Sequence, residues 1–331
     1  MKSLRLASLV ICLGLPLWAC SAQQPAPAQP PIASAAPSPQ NITETIRKSA
    51  LFLEVYYQDG TDRKGIVGTC FFVSFEDKRL PDGQVFLYLV TNRHVAQPGI
   101  DLNSPYPVSG AFIRANLLHP EGEVQSVKEP LPLSTNHWHF PQDPSVDLAI
   151  LPYGLAIEKY SYSQIPSSII VTSDMVKAGD VADGDRITFA GYFTNFPGLK
   201  RMEPILRSGV IAMMPEEVLD TTLHKPGHVY LADLHAFHGN SGSPVFVNVG
   251  GVSHHGVTMM GEKYFLLGLI SGYYPEAEGF SVPAATVLTG QVHDNSGIAA
   301  IVPADEINEL LNSREVQSER DRIVAIEKKK P

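Results

Sequence analysis

The sequence predicts an all-β protein closed by one C-terminal helix. Three observations carry that reading. The apolar runs are short, filled with β-branched and aromatic residues, and bounded by Gly, Pro, Asp or Asn. The 331 residues include 26 Gly and 27 Pro, a density that favours turns over long helices. Helical periodicity surfaces only over 303–312, where Ile307, Leu310 and Leu311 form a stripe behind the acidic first-turn residues Asp305 and Glu306. On these grounds barrels and a sandwich are both open.

Taken in order, the chain begins with a leader. Lys2 and Arg5 precede an apolar run from Leu6 to Ala19, too short to span a bilayer comfortably. Residues 1–19 read as a signal peptide. Leu17-Trp18-Ala19-Cys20 resembles the bacterial lipoprotein processing site, which would make Cys20 a lipidated first residue; simple cleavage and secretion is the alternative. Residues 20–47 read as a flexible tether, because Gln23–Gln40 is rich in Pro, Ala, Gln and Ser and carries no charge. Strands are expected at Leu51–Tyr57, Gly68–Phe75, Val85–Thr91, Ala111–Leu118, Asp147–Leu151 and Arg186–Tyr192. Further strands are expected at Ser208–Met213, Val229–Leu234, Pro244–Val249, Phe265–Ser271 and Gly297–Val302. After the helix at 303–312, residues 313–331 read as a charged, solvated tail.

Composition excludes several classes. Lys and Arg number 25 against 34 Asp and Glu, a net charge of −9, so a nucleic-acid-binding face is not expected. Three Cys do not make a disulfide scaffold, and Cys70, inside Cys70-Phe71-Phe72-Val73, reads as a buried filler. The histidine groups His137/His139, His235/His238 and His254/His255 match no zinc spacing, so neither a metal nor an organic cofactor is expected.

The strongest chemical signal is Phe237-His238-Gly239-Asn240-Ser241-Gly242-Ser243-Pro244. A Ser between glycines fits a nucleophile on a tight turn, where bare backbone lets the N–H groups of Gly239 and Ser241 converge on an oxyanion. Alone, this motif also fits a plain turn. A Ser hydroxyl needs a base, and His94, after Leu89-Val90-Thr91-Asn92-Arg93, sits where a strand gives way to a loop. Asp147 stands directly ahead of Leu148-Ala149-Ile150-Leu151, where a carboxylate needs a partner such as His94.

The order His94, Asp147, Ser241, together with Gly68-Thr69-Cys70-Phe71-Phe72-Val73 and Leu267-Gly268-Leu269-Ile270-Ser271-Gly272, resembles the chymotrypsin/trypsin-like serine peptidases, in particular their disulfide-poor bacterial members. The resemblance implies two antiparallel six-stranded β-barrels over 48–312, the first at about 48–160 and the second at about 180–302, followed by the helix. It implies a catalytic triad of His94, Asp147 and Ser241 and an oxyanion hole of Gly239 and Ser241. It also implies a strand edge at Ser271, Gly272 and Tyr273 that pairs with an extended polypeptide substrate. Asn240 stands where animal members carry the Asp that binds a freed N-terminus, so activation by that route is not expected. By motif position His235 falls at the base of the primary specificity pocket, which disfavours Lys/Arg recognition, and Tyr273 narrows that pocket. The resulting expectation is a serine endopeptidase of the bacterial envelope; the alternative is a silent pseudoprotease that binds peptides. Substrate and oligomeric state are not legible.

Overall fold

The computed structural model describes residues 32–33, 42–250, 253–254, 257–258, 262–282 and 288–328. The leader, the lipidation motif at Cys20 and most of the tether lie outside these residues, as does His255.

The chain enters through α1 (Ile42–Ser49), a correction to the tether expected to run to 47. Ile42 and Ile46 share a helical face, Ile46 is buried, and Glu44 pairs with Lys48 one turn on at 3.5 Å. The first half is then built from β1 (Leu51–Asp59), β2 (Asp62–Glu76), β3 (Gln84–Thr91), β4 (Val108–Glu121), β5 (Val124–Pro130), β6 (Ala149–Pro152) and β7 (Gln164–Pro166). A four-residue helix, α2 (Arg93–Ala96), follows β3.

Neighbours in this sheet run β3-β2-β1-β4-β5, with β6 on β3 and β7 parallel to β2. Ile32–Ala33 adds an eighth strand beside Val85 and Gln84. The expected first barrel is therefore an eight-stranded sheet without a continuous closing ladder. Its curl is spanned instead by short contacts, Leu117 with Tyr160 and Phe72 with Gln164. A register shift between Asn116 and Glu121 bends the β4–β5 hairpin and interrupts the ladder there.

The second half is a closed six-stranded barrel. Its strands are β8 (Arg186–Gly191), β9 (Ile205–Met213), β10 (Tyr230–Asp233), β11 (Pro244–Asn248), β12 (Tyr264–Val282) and β13 (Leu288–Pro303), in the cyclic order β9-β10-β13-β12-β11-β8. The expected strands are present, but β12 and β13 run on as a long ribbon to the pair Val282–Leu288. The strand expected to end at Ser271 continues through Pro275, with register shifts between Ile270 and Gly272 and between Tyr273 and Pro275. A short helix, α3 (Ser173–Lys177), precedes β8, and the helix expected at 303–312 is α4 (Asp305–Leu311).

Beyond it, the segment expected to be a solvated tail is α5 (Arg314–Glu327), capped by Ser313, with Val316, Arg320, Ile323 and Val324 buried. Its apolar positions recur at helical spacing among so many charges that local composition hides them.

Three cores result. One fills the first sheet around Leu53, Phe72, Leu89 and Ile113. A second fills the closed barrel around Ile187, Phe189, Val245 and Leu267. The third lies between the halves and under the terminal helices. It joins Phe52, Phe71, Val90 and Ile150 to Tyr192, Phe246, Leu269, Ile307, Leu311 and Val316. Cys70 is buried in the first sheet, where desolvation drives its thiol pKa far up.

Candidate active site

The site forms where the two halves meet. Strand β3 ends at the buried Thr91, and Asn92, with extended backbone, starts α2. That short turn presents His94 with a side chain one-fifth exposed. Asp147 sits in the turn ahead of β6 and is 1% exposed. Its Oδ1 accepts the His94 backbone N–H at 3.0 Å, and its Oδ2 lies 2.7 Å from His94 Nδ1. Asn92 Nδ2 donates to the Asp147 backbone carbonyl at 2.8 Å, which fixes the loop itself.

A third donor comes from the other half: Ser271 Oγ donates to Asp147 Oδ2 at 2.6 Å. Burial works to raise the Asp147 pKa, but the charge and hydrogen bond of His94 and the donation from Ser271 outweigh it, so the carboxyl is held below its ordinary range. Burial works to lower the His94 pKa, and the opposing charge and hydrogen bond of Asp147 leave it raised above 6.5.

Ser241 arrives on the loop between β10 and β11. Gly239 has φ +92° and Gly242 φ +84°, conformations that L side chains rarely adopt. Space forbids a side chain as well: a Cβ at 239 would strike Thr194, and one at 242 would strike the Thr69 carbonyl. The loop is tied to the first half by Thr69, whose N–H donates to the Ser241 carbonyl at 2.8 Å and whose hydroxyl donates to the Gly239 carbonyl at 2.8 Å. Thr91 Oγ1 in turn donates to the Thr69 carbonyl at 2.8 Å. Gly68 is threaded between α2 and this loop, since a Cβ there would lie 3.0 Å from Val95 and 3.1 Å from the Ser241 carbonyl.

Asn240 is spent on its own loop, accepting from the Phe237 N–H at 2.9 Å and donating to the Tyr192 carbonyl at 2.9 Å. The N–H groups of Gly239 and Ser241 donate to no protein acceptor among the described residues.

The structure thus brings His94, Asp147, Ser241, Gly239 and Ser271 to one place. His94 and Ser241 are not hydrogen-bonded to each other. Ser241 Oγ donates instead to the Ser271 carbonyl at 3.2 Å, so Ser271 bridges the acid and the hydroxyl. Gly272 and Tyr273 continue the strand edge, and the Tyr273 ring lies edge-on to His238, centroids 6.4 Å apart. His235 is exposed, stacks near Phe237 with centroids 6.4 Å apart, and borders Gly297. Arg207 donates to its carbonyl at 3.2 Å.

His139 does not join His137 in a metal site. It is buried between Glu315 and Glu319 of α5, each 3.2 Å from one ring nitrogen. No group of three metal-ligating side chains occurs among the described residues.

Sequence reasoning assigned no role to Asn92, Thr69 or Thr91, although all three lie inside motifs it singled out. It gave no attention to Thr222, whose hydroxyl meets Ser271 Oγ at 2.5 Å. Asp220-Thr221-Thr222 carries no local signal, because its partner lies 49 residues away.

No curated protein matches the chain. Among solved structures, the chain is similar to the Rv3671c protease from M. tuberculosis in its active form, at 17% identity over 88% of this chain and 93% of that chain, with a TM-score of 0.43. It is also similar to Deg5, at 16% identity over 70% of this chain and 82% of that chain, with a TM-score of 0.39. The trypsin-like peptidase domain family matches residues 68–252, which take in β2 from Gly68 onward, α2, Asp147 and the Ser241 loop. The chain therefore belongs to the trypsin-like peptidase family.

Proposed function

We propose that the protein is a serine endopeptidase that acts through an acyl-enzyme on Ser241. The observation that carries this reading is the buried Asp147 carboxylate, paired with His94 and linked through Ser271 to the Ser241 hydroxyl. In the reaction, Ser241 Oγ turns from the Ser271 carbonyl toward His94 Nε2, which takes its proton as Oγ attacks the scissile carbonyl. Asp147 fixes the imidazole tautomer with the proton on Nδ1 and stabilises the imidazolium. The Gly239 and Ser241 N–H groups receive the oxyanion, each donor being worth about 2.7–4 kcal/mol in such sites. His94 then protonates the leaving amine, and water, deprotonated by His94, releases the acid product and restores Ser241.

The substrate is an extended polypeptide that pairs with the edge at Ser271, Gly272 and Tyr273. His235 and the Tyr273–His238 pair set the residue accepted ahead of the scissile bond, and Lys and Arg are disfavoured. The protein is exported and held at the bacterial envelope by a lipid on Cys20. Mass analysis of the N-terminal peptide tests that anchor; an unmodified peptide beginning after Ala19 or Ala22 contradicts it.

Hydrolysis of a peptide library by the native protein, set against Ser241→Ala, tests the activity. Cleavage lost in the variant supports it. A second reading, a silent peptide-binding module, is favoured by the Ser241 hydroxyl donating to Ser271 and not to His94. Saturable peptide binding without cleavage would establish that reading.

A further inference from the structure

The hydroxyl of Ser271 has one proton, and that proton is committed. Asp147 is an acceptor, so the 2.6 Å contact between Ser271 Oγ and Asp147 Oδ2 uses the Ser271 hydrogen. The 2.5 Å contact between Thr222 Oγ1 and Ser271 Oγ then has one donor available, the Thr222 hydroxyl. The direction of the chain is fixed by this count: Thr222 donates to Ser271, Ser271 to Asp147, and Asp147 accepts from His94. Asp147 and Ser271 are 1% and 3% exposed, so the bond between them acts where water does not compete.

Thr222 is held by more than this one bond. It lies in a short ribbon in which Leu219 and Asp220 pair with Gly227 and Pro226, and the flanking Thr221 and Leu223 are buried. Tyr274 Oη donates to the Asp220 carbonyl at 2.8 Å, tying the ribbon to β12. At its other end Gly227 is packed so closely on Ser145 that a Cβ would lie 2.5 Å from Ser145 Oγ, two residues before Asp147. The Thr222 methyl lies against Gly272, 3.0 Å from where a Cβ would stand. The ribbon thus bridges the turn that carries Asp147 and the strand edge that carries Ser271, and it places one hydroxyl on the seam.

We propose that Thr222 is a positioning residue for the catalytic group: its hydroxyl aims the Ser271 proton at Asp147 and thereby holds the carboxylate in the orientation that His94 requires. This rests on the peptidase reading above, in which Asp147 orients His94. Without the Thr222 donor, the Ser271 hydroxyl is free to rotate away from Asp147. The carboxylate loses a partner, and its uncompensated charge draws more strongly on the His94 imidazolium. The other charged groups acting on this pair, Asp101 on His94 and Arg93 on Asp147, stay in place.

The test uses Thr222→Val, Thr222→Ser, Ser271→Ala and the Thr222→Val/Ser271→Ala pair in the full chain. Two readouts are needed: steady-state peptide hydrolysis, and the His94 ring titration followed by NMR. Thr222→Val keeps the methyl on Gly272 and removes only the donor. It is expected to lower kcat about 3- to 10-fold, the range for one such hydrogen bond, with KM little changed and the His94 midpoint moved upward. Thr222→Ser restores both, and Thr222→Val adds nothing in the Ser271→Ala background, because the two residues act in series. A further loss in that background, an unchanged His94 midpoint, or no rescue by Ser would overturn the proposal. If the native protein cleaves no peptide, the peptidase reading falls first, and the His94 titration still decides whether Thr222 acts on the pair.

Discussion

At the scale of single residues, the buried Asp147 sets the chemistry. It is stabilised by donors from three directions and is therefore ionised, which raises the His94 pKa. A histidine acts as a general base only when its ring is neutral. The acid limb of kcat/KM is therefore expected to have its midpoint above 6.5, the ordinary imidazole value, and a pH–rate profile on a neutral peptide reads it directly. A midpoint below that value contradicts the pairing. Asp147→Asn is expected to cost about 10^4 in kcat, since the amide favours the wrong imidazole tautomer. A variant within a factor of about ten of native activity contradicts the role given to Asp147.

At the scale of elements, α5 changes the picture of the C-terminus. Arg320 is buried, donating to the Leu311 carbonyl at 2.7 Å and to Tyr88 Oη at 3.2 Å, with its guanidinium 4.1 Å from the Phe75 ring centroid. The helix therefore clamps the first sheet, although it follows the second barrel in sequence. His139 adds a titratable contact. Burial opposes its charge, but Glu319 and Glu315 overcome that and raise its pKa above 6.5. A histidine raised in the folded state contributes stability that is complete below its unfolded pKa and fades as pH rises through the folded one. The difference in thermal midpoint between native protein and His139→Gln is accordingly expected to be largest in mild acid and to shrink above neutrality. A difference independent of pH contradicts this.

Glu306 shifts stability with pH in the same direction, through a different cause. Burial first, then Glu309, Asp143 and Asp305, push its pKa up to about 7. Its ionisation destabilises the fold as pH rises from its unfolded value through that point. Glu306→Gln is therefore expected to raise the thermal midpoint in mild alkali and leave it little changed in acid. Equal midpoints at alkaline pH contradict the assignment.

Legibility divides along these elements. Strands with β-branched runs between turn residues, such as β3 and β11, stand out in the sequence because local pattern and burial coincide. The His94, Asp147 and Ser241 motifs were legible for the same reason, each being a short string with its own chemistry. The helix α5, the extension of β12 past Pro275 and the role of Thr222 were not. Each depends on a partner far along the chain: Tyr88 for Arg320, Asn295 for Pro275, Ser271 for Thr222. Composition alone makes the first a tail, ends the second at Ser271 and leaves the third without a role.

At the scale of the whole molecule, the core shared by the two halves decides the geometry of the site, because His94 and Asp147 come from one half and Ser241 and Ser271 from the other. Phe52 of β1 meets Tyr192 edge-on at the end of β8, with centroids 5.2 Å apart, and Tyr192 Oη donates to the Ala50 carbonyl at 3.2 Å. Phe52→Ala is expected to cost about 3–5 kcal/mol of stability, read by denaturant unfolding. It should lower activity in step as the halves lose their seat. Full stability in that variant contradicts the shared core.

The proposed activity stands on the Ser241 hydroxyl being a nucleophile. Reaction with a fluorophosphonate, followed by mapping of the modified peptide, tests it without any knowledge of the substrate. One adduct on Ser241 is expected, absent in Ser241→Ala and strongly slowed in His94→Ala. A folded native protein that stays unlabelled, or labels at the same rate without His94, would contradict it.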